Sequence, residues 1–222
     1  MLVAAVIGLA GLAAWFLRRE MGHADPVFQP RFFARRGFAA ATLGVSASNL
    51  GSYTLLLAVP VLLARQGGNS LGAGLALLLM SAPMVAFSAL GGQLADRLGR
   101  RLPVLVGCVL LALSLMPLAV VPGMQGFGFY ACLALSGVGM GLASAGLQTS
   151  AVEAVEASQA GVAAGLFSTC RYIGSFAGSI ALARLLDGGV GLAGFQALFT
   201  ICLAGALVSV GAALMLPGRR KG

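Results

Sequence analysis

The segment Gly92-Gln93-Leu94-Ala95-Asp96-Arg97-Leu98-Gly99-Arg100-Arg101 decides the fold of this chain. It is a short, charged, glycine-containing turn between two uncharged apolar runs, 66–95 and 102–121. A helix of about 20 apolar residues crosses the roughly 30 Å hydrocarbon core of a bilayer. A soluble core does not place so much apolar sequence on both sides of so short a polar link. We therefore interpret the segment as a cytoplasmic hairpin between two membrane-spanning helices.

The composition of the whole chain supports this interpretation. Hydrophobic residues make up 59% of the 222 residues and charged residues 9%, whereas about a quarter of an ordinary soluble domain is charged. Outer-membrane strands alternate apolar and polar residues over about ten positions. The runs of this chain are longer and do not alternate, so the sequence predicts an all-α integral membrane protein.

The basic residues are concentrated beside the apolar runs. The net charge is +8, and eleven of the fourteen Lys and Arg residues lie in 18–36, 97–101 and 219–221. Clusters of this kind are typical of cytoplasmic loops. A nucleic-acid-binding protein needs a basic face on a water-exposed element instead. The charge therefore predicts orientation in a lipid bilayer, and we expect no nucleic-acid partner.

Seven apolar segments predict seven transmembrane helices. An arrangement with the 96–102 turn inside the cell places nearly all loop arginines and lysines on that side, as the positive-inside rule requires. We expect a bacterial inner (plasma) membrane protein with a cytoplasmic basic tail at 217–222. The predicted helices are 1–17, 38–64, 71–95, 103–121, 126–148, 161–186 and 195–216; the inside loops are 18–37, 96–102, 149–160 and 217–222; the outside loops are 65–70, 122–125 and 187–194.

The first two segments are predicted to lie outside the main bundle. Residues 1–17 form an additional transmembrane helix, which runs inward with no basic residue before it and suggests a part of something longer. In the cytoplasmic amphipathic loop 18–37, Phe28, Phe32 and Phe33 alternate with arginines. Such a segment can place its rings at the lipid interface. A solvated loop is the alternative.

The remaining six helices, 38–216, divide into two sets of three, 38–121 and 126–216. Because each set has an odd number of spans, the second set must enter the membrane upside down relative to the first. Inverted repeats of three helices form many secondary transporters. The spacing therefore permits a 3+3 inverted repeat within one half-bundle. The pairs Gly137 and Gly141, Gly161 and Gly165, and Gly174 and Gly178 predict close helix contacts.

The turn and two further segments resemble one family. The pattern Gly92-x-x-x-Asp96-Arg97-x-Gly99-Arg100-Arg101 is similar to the loop motif of the major facilitator superfamily, between the second and third helices of a six-helix half. The stretch Gly165-Leu166-Phe167-Ser168-Thr169-Cys170-Arg171-Tyr172-Ile173-Gly174 and the loop Pro26-Val27-Phe28-Gln29-Pro30-Arg31-Phe32-Phe33 resemble fourteen-span drug:proton antiporters. The resemblance covers essentially the whole chain. It implies the C-terminal half of a multidrug efflux transporter, with residues 1–17 as an extra helix between the halves.

The resemblance also implies a role for the turn. In the family, the loop motif holds one access state by contacting a helix of the opposite half. The gating residues carried over are Gly92, Asp96, Arg97, Gly99, Arg100 and Arg101. A turn that only sets topology is the alternative.

Polar residues within the predicted spans indicate a substrate path. Because a polar group in a span must face protein or water, polar faces mark the helices that line a path. The first two helices of each set carry such faces, whereas 103–121 and 195–216 carry few polar residues. Interhelical hydrogen bonding is the alternative for Asn49 and Tyr53, and snorkelling or helix pairing is the alternative for Arg171. The candidate residues are Ser46, Asn49, Tyr53, Thr169, Arg171 and Tyr172.

The chain has no nucleophile–base pair, metal-ligand cluster or phosphate loop in its sequence, so we predict no enzyme, no catalytic residue, no metal and no cofactor. No Asp or Glu lies in the middle of a predicted span. We predict a secondary transporter, or half of one, that exports drugs or small organic molecules by alternating access with proton antiport. The expected partners are lipid, a small-molecule substrate, and either a separate N-terminal half or a second copy. A truncated, non-transporting membrane protein or interaction subunit is the alternative.

Overall fold

The computed structural model describes residues 30–121, 123–187 and 191–218, which form helices and no strands. The predicted all-helical class is confirmed for these residues, and six predicted helices are present. The predicted helix 1–17 and residues 219–222 of the predicted tail 217–222 lie outside the described residues. The six long helices are α1 (Arg36–Arg65), α2 (Ser70–Leu98), α3 (Arg101–Val120), α4 (Phe127–Glu153), α5 (Ala160–Asp187) and α6 (Leu192–Met215).

Two helices extend well beyond their apolar runs. The structure continues α2 to Leu98 rather than 95, and α4 to Glu153 rather than 148. Hydropathy marks the part of a helix that suits lipid, whereas the backbone hydrogen bonds continue into the polar region. Five of the six helices are long and apolar enough to cross a membrane, namely α1, α2, α3, α4 and α6. The remaining helix, α5, carries Arg171 and Arg184 along its length.

The loops gather at two opposite ends of the bundle. One end brings together Arg35, the turn at Gly99, the end of α4 at Glu153 and the chain after α6 at Pro217. The other end brings together the last turn of α1 at Leu62, the segment after α3 at Val121 and Gly123, and the start of α6 at Leu192. There, Gln196 Nε2 donates to the Val120 carbonyl at 3.3 Å. The structure thus groups the described loops as the sequence predicted.

The helices pack in a regular pattern. The strongest contacts join α2 with α4, α3 with α4, α1 with α5, α1 with α6, and α3 with α6. These contacts form one series of neighbours, α2–α4–α3–α6–α1–α5, with α2 and α5 at its two ends. Glycine permits close crossings within it: a Cβ at Gly107 would lie 2.5 Å from the Gly139 carbonyl oxygen, and one at Gly141 would lie 2.5 Å from the Met84 carbonyl oxygen.

The segment before α1 folds against the bundle. Residues Pro30–Ala34 form a 3-10 turn, and Phe32 is only 2% exposed within a core cluster that includes Phe38 and Leu216. The Arg35 guanidinium donates to the Ala154 carbonyl at 2.9 Å. The interpretation that these rings lie at a lipid interface is therefore wrong for Phe32, because protein covers this ring. Phe28 lies outside the described residues.

Candidate functional site

A cleft of about 730 Å³ opens on one side of the bundle. Its described lining residues come from α1, α2, α4 and α5, and none of them comes from α3 or α6. The first two helices of each predicted set thus line one cleft, and the use of this cleft as a substrate path stays a prediction. Pockets of roughly 300–1,000 Å³ hold drug-sized molecules, so the cleft is large enough for a small organic ligand.

Helix α1 contributes a polar face to the cleft. Asn49, Ser52 and Tyr53 lie three and four positions apart, which places them on one side of a helix, and all three line the cleft. Asn49 is 2% exposed, and its Nδ2 donates to the Val45 carbonyl at 3.0 Å. Ser52 is nearly buried, and its Oγ has no hydrogen-bond partner among the described residues. The face therefore presents polar groups that local hydrogen bonds do not fully occupy.

Helix α5 contributes the only charged side chain among the described residues of the lining, that of Arg171. The Arg171 guanidinium carbon lies 5.3 Å from the centroid of the neighbouring Tyr172 ring. The position of this helix is fixed by its crossing with α1. There, Ser46 Oγ donates to the Cys170 carbonyl at 2.6 Å, and Gly174 packs directly on the Ser46 backbone.

Helices α2 and α4 line the cleft with a mixture of thioether and polar side chains. Met80 and Met84 on α2 and Met140 on α4 lie beside Ser81, Ser88, Ser144 and Gln148. Unbranched thioether side chains adapt to ligands of different shapes. The sequence prediction missed these methionines, although the spacing of Met80 and Met84 places them on one helical face.

The structure brings four of the six predicted path residues to the cleft, namely Asn49, Tyr53, Arg171 and Tyr172. It does not place Ser46 or Thr169 there. Ser46 is used in the contact between α1 and α5. Thr169 is exposed and donates to the Gly165 carbonyl of its own helix at 3.0 Å. A shift of one or two positions along a helix turns a side chain to another face, which the clustering of polar residues in the sequence did not resolve.

The predicted gating residues surround the turn between α2 and α3. Asp96 and Arg97 belong to the last turn of α2, so the turn itself is shorter than the predicted 96–102. Gly99 has φ 85°, a backbone conformation that residues with a Cβ rarely adopt. Gly92 lies near Ala145 of α4, since a Cβ there would be 3.9 Å from the Ala145 Cβ. Arg97 and Arg101 are exposed.

Arg100 connects the turn to the end of α4. Its guanidinium forms an ion pair with the Glu153 carboxylate, a partner that the sequence prediction missed. Burial lowers the pKa of the Arg100 guanidinium, and the nearby Asp96 carboxylate opposes this shift. Asp96, Gly99, Arg100 and Glu153 line a second cavity of about 750 Å³ at this end of the bundle. The arrangement couples the ends of α2, α3 and α4 through charge.

The fold and the sequence both match known proteins. The crystal structure of tetrameric PepTSo2 is similar with a TM-score of 0.72 at 22% identity, over 81% of this chain and 40% of that one. An uncharacterized MFS-type transporter of Bacillus subtilis (strain 168), YvkA, is 32% identical over 198 residues, 88% of this chain and 44% of the relative. The multidrug resistance protein Stp of Mycobacterium tuberculosis (strain ATCC 25618 / H37Rv) is 32% identical over 84% of this chain and 34% of its own length.

This chain therefore spans less than half of the length of these curated relatives. The sequence profile of the Major Facilitator Superfamily matches residues 1–179, which is most of the chain. The profile and the relatives describe integral membrane transporters rather than enzymes, in agreement with the sequence prediction. The chain belongs to the Major Facilitator Superfamily.

Proposed function

We propose that the chain forms one six-helix half of a secondary transporter that exports small organic molecules by alternating access. The observation that carries the proposal is the cleft, because a cavity of about 730 Å³ lined by both polar and apolar side chains suits such ligands. The similarity to Stp supports a drug-like substrate. A second bundle would cover the cleft, since the curated relatives are more than twice as long as the matched region.

The packing pattern supports an inverted 3+3 repeat. Let α1 take the place of α4, α2 that of α5 and α3 that of α6, and the reverse. The contact α2–α4 then becomes α5–α1, the contact α3–α4 becomes α6–α1, and the contact α3–α6 becomes itself. All five of these contacts are strong in the structure. A two-fold relation between the triplets accounts for this pattern, as in transporters built from inverted repeats.

We further propose that the turn around Gly99 takes part in gating. The Arg100–Glu153 ion pair joins α3 to α4 at the bundle end where Asp96 also lies. Rocking against a second bundle would leave this internal ion pair in place, so we propose that the pair fixes the shape of the turn while the exposed Arg97 and Arg101 make contacts with the second bundle that change. Proton antiport and the fourteen-span architecture follow from the resemblance alone. The described lining of the cleft holds no Asp or Glu, so we assign the protonated group to the second bundle.

Transport is tested by dye efflux from proteoliposomes. The chain is reconstituted alone and together with a separately produced bundle, taken from the part of YvkA that this chain does not match. We expect efflux from the combined preparation, with loss in Tyr53→Ala, because Tyr53 lines the cleft. Thr169→Ala is the matched control, since Thr169 is polar but does not line the cleft. Absence of efflux from both preparations would favour a non-transporting subunit.

Orientation is tested by thiol labelling in intact bacterial cells. We propose that the arginine-rich end faces the cytoplasm of a bacterial inner membrane, as the positive-inside rule predicts. Ser158→Cys is exposed at this end and Gln125→Cys is exposed at the other. In a background without native cysteines, an impermeant maleimide should label the second variant only. Labelling of the first variant alone would reverse the proposed topology.

A further inference from the structure

The cleft contains one charge, and this charge has no carboxylate partner among the described residues. Arg171 is the only charged residue of the described lining. The ion pair found in the described ranges, Arg100–Glu153, lies at the end of the bundle. The Tyr172 ring covers one side of the guanidinium, an interaction that favours a cation. The N–H groups at the edge of a guanidinium match the geometry of a carboxylate.

A second, independent group in the cleft lacks a partner. Ser52 is 5% exposed, and its Oγ forms no hydrogen bond to any described residue. Buried hydroxyl groups in folded proteins are nearly always hydrogen-bonded. Ser52 lines the same cleft as Arg171, and its Oγ is enclosed by protein, so the hydroxyl donates to a ligand acceptor only once its side chain turns toward the cavity. An unpaired guanidinium on α5 and an unbonded hydroxyl on α1 thus border one cavity.

Other lining residues offer apolar surface to a ligand. Met80, Met84 and Met140 line the cleft on α2 and α4, beside Ser81, Ser88, Ser144 and Gln148, and Phe167 on α5 adds an aromatic ring. A ligand that uses both Arg171 and the methionines must carry an acceptor group and an apolar body. A cationic ligand would meet Arg171 without an opposing carboxylate in the described lining, and like charges at a desolvated site repel strongly.

We infer that the cleft selects amphipathic organic anions, with a carboxylate or sulfonate bound by Arg171 and Ser52 and the apolar body bound by the methionines. The inference rests on the proposed function of the cleft as a transport site. It adds charge selectivity, which the similarity to a multidrug resistance protein does not specify. Arg171 is a specificity-determining residue in this scheme, and Ser52 is a second contact to the anion.

The test compares three ligands with the same apolar body. The full chain in nanodiscs of zwitterionic lipid is titrated with 2-naphthoate, 2-naphthamide and 2-naphthylmethylammonium by calorimetry at neutral pH. We expect the anion to bind about tenfold more tightly than the neutral amide, a difference of one decade in Kd. The cation should bind most weakly of the three.

Variants then assign the selectivity to residues. Arg171→Gln should weaken naphthoate binding about tenfold and leave naphthamide binding within about twofold, because only the anion uses the charge. Ser52→Ala should weaken naphthoate binding about threefold, the effect of one hydrogen bond. Arg184→Gln is the matched control, since Arg184 is an exposed arginine of the same helix and does not line the cleft. Its binding of all three ligands should be unchanged.

The possible failures are distinguishable. Equal binding of the three ligands by the unaltered chain would overturn the anion selectivity and leave the cleft as a general binding site. Equal weakening of all three by Arg171→Gln would show that Arg171 supports the packing of α5 instead. Absence of binding by all three would overturn the inference, whereas the proposed transport is decided separately by dye efflux from the combined preparation.

Discussion

The crossing of α1 and α5 at Gly174 is the contact on which the polar wall of the cleft depends. A Cβ added at Gly174 would lie 2.7 Å from the Ser46 carbonyl carbon and 2.9 Å from the Ser46 Cα. Carbon atoms in ordinary contact are about 3.5–4.0 Å apart. Because these neighbours are backbone atoms, no side-chain rotation relieves the clash. Gly174→Ala must therefore separate the two helices by about 1 Å at the crossing.

The expected loss of stability combines three effects. Overpacking at a close contact costs about 1–3 kcal/mol. Separation also weakens the hydrogen bond from Ser46 Oγ to the Cys170 carbonyl, 2.6 Å long, which contributes about 0.5–1.5 kcal/mol. The higher helix propensity of alanine offsets up to about 1 kcal/mol of this loss in the free energy of unfolding. We expect a net decrease of about 1–3 kcal/mol in the free energy of unfolding.

Gly165→Ala is the matched control, because Gly165 lies in the same helix and an added Cβ would meet nothing within 4 Å. Its expected effect is a gain of up to about 1 kcal/mol from helix propensity. Unfolding of both variants in detergent micelles is followed by circular dichroism. Stability of Gly174→Ala within about 0.5 kcal/mol of the unaltered chain, the range of neutral surface changes, would refute the close crossing of α1 and α5.

Three further changes can be measured by the same unfolding assay. Ser52→Ala should leave the free energy of unfolding unchanged or slightly higher, because the Ser52 hydroxyl has no described partner. Ser46→Ala should lower it by about 0.5–1.5 kcal/mol, because the interhelical hydrogen bond is lost. Equal losses in the two variants would contradict this difference. Phe32→Ala should cost about 3–5 kcal/mol as a buried ring, and Phe33→Ala, 39% exposed, should cost less than half of that. Gly99→Ala should cost about 1–3 kcal/mol because its φ of 85° is unfavourable for alanine; an unchanged Tm would show that the turn accepts another conformation.

The sequence was sufficient to predict the helices and their directions. The apolar runs predicted all six described helices, because each run is about as long as a helix that crosses a bilayer. The arginine clusters grouped the loops at the two ends, and the described arginines Arg35, Arg97 and Arg100 lie at the predicted common end. Exact helix ends were not predictable, since α4 continues through polar residues to Glu153 while keeping its hydrogen bonds.

The side-chain partners were harder to predict than the helices. Ser46 and Asn49 lie only three residues apart, yet the first contacts α5 and the second lines the cleft. The rotation of each helix about its axis determines whether a side chain contacts a neighbouring helix or lines the cleft. That rotation is set by contacts with other helices. The Arg100–Glu153 ion pair likewise joins residues 53 positions apart. Loop charge alone indicates sidedness but does not indicate such a partner.

The glycine pairs show how similar patterns acquire different roles. Gly137 and Gly141 pack α4 against the α2 backbone, and Gly174 packs α5 against α1, whereas an added Cβ at Gly165 would meet open space. A small residue permits close approach but does not supply the helix that approaches. The sequence therefore predicted where contacts are allowed, and the arrangement of the helices determined which of them are made.

The α1–α5 and α2–α4 crossings also divide the chemistry of the cleft. The α1–α5 pair carries Asn49, Ser52 and Arg171, while the α2–α4 pair carries the methionines Met80 and Met140. The proposed two-fold exchange relates the helix pairs, but it does not relate their side chains. A change at Gly174 should therefore disturb the proposed anion recognition, and a change at Gly141 should disturb the side of the cleft that carries the methionines. In the proposed repeat, both triplets share one packing pattern, and the different side chains of the two pairs give the cleft its selectivity.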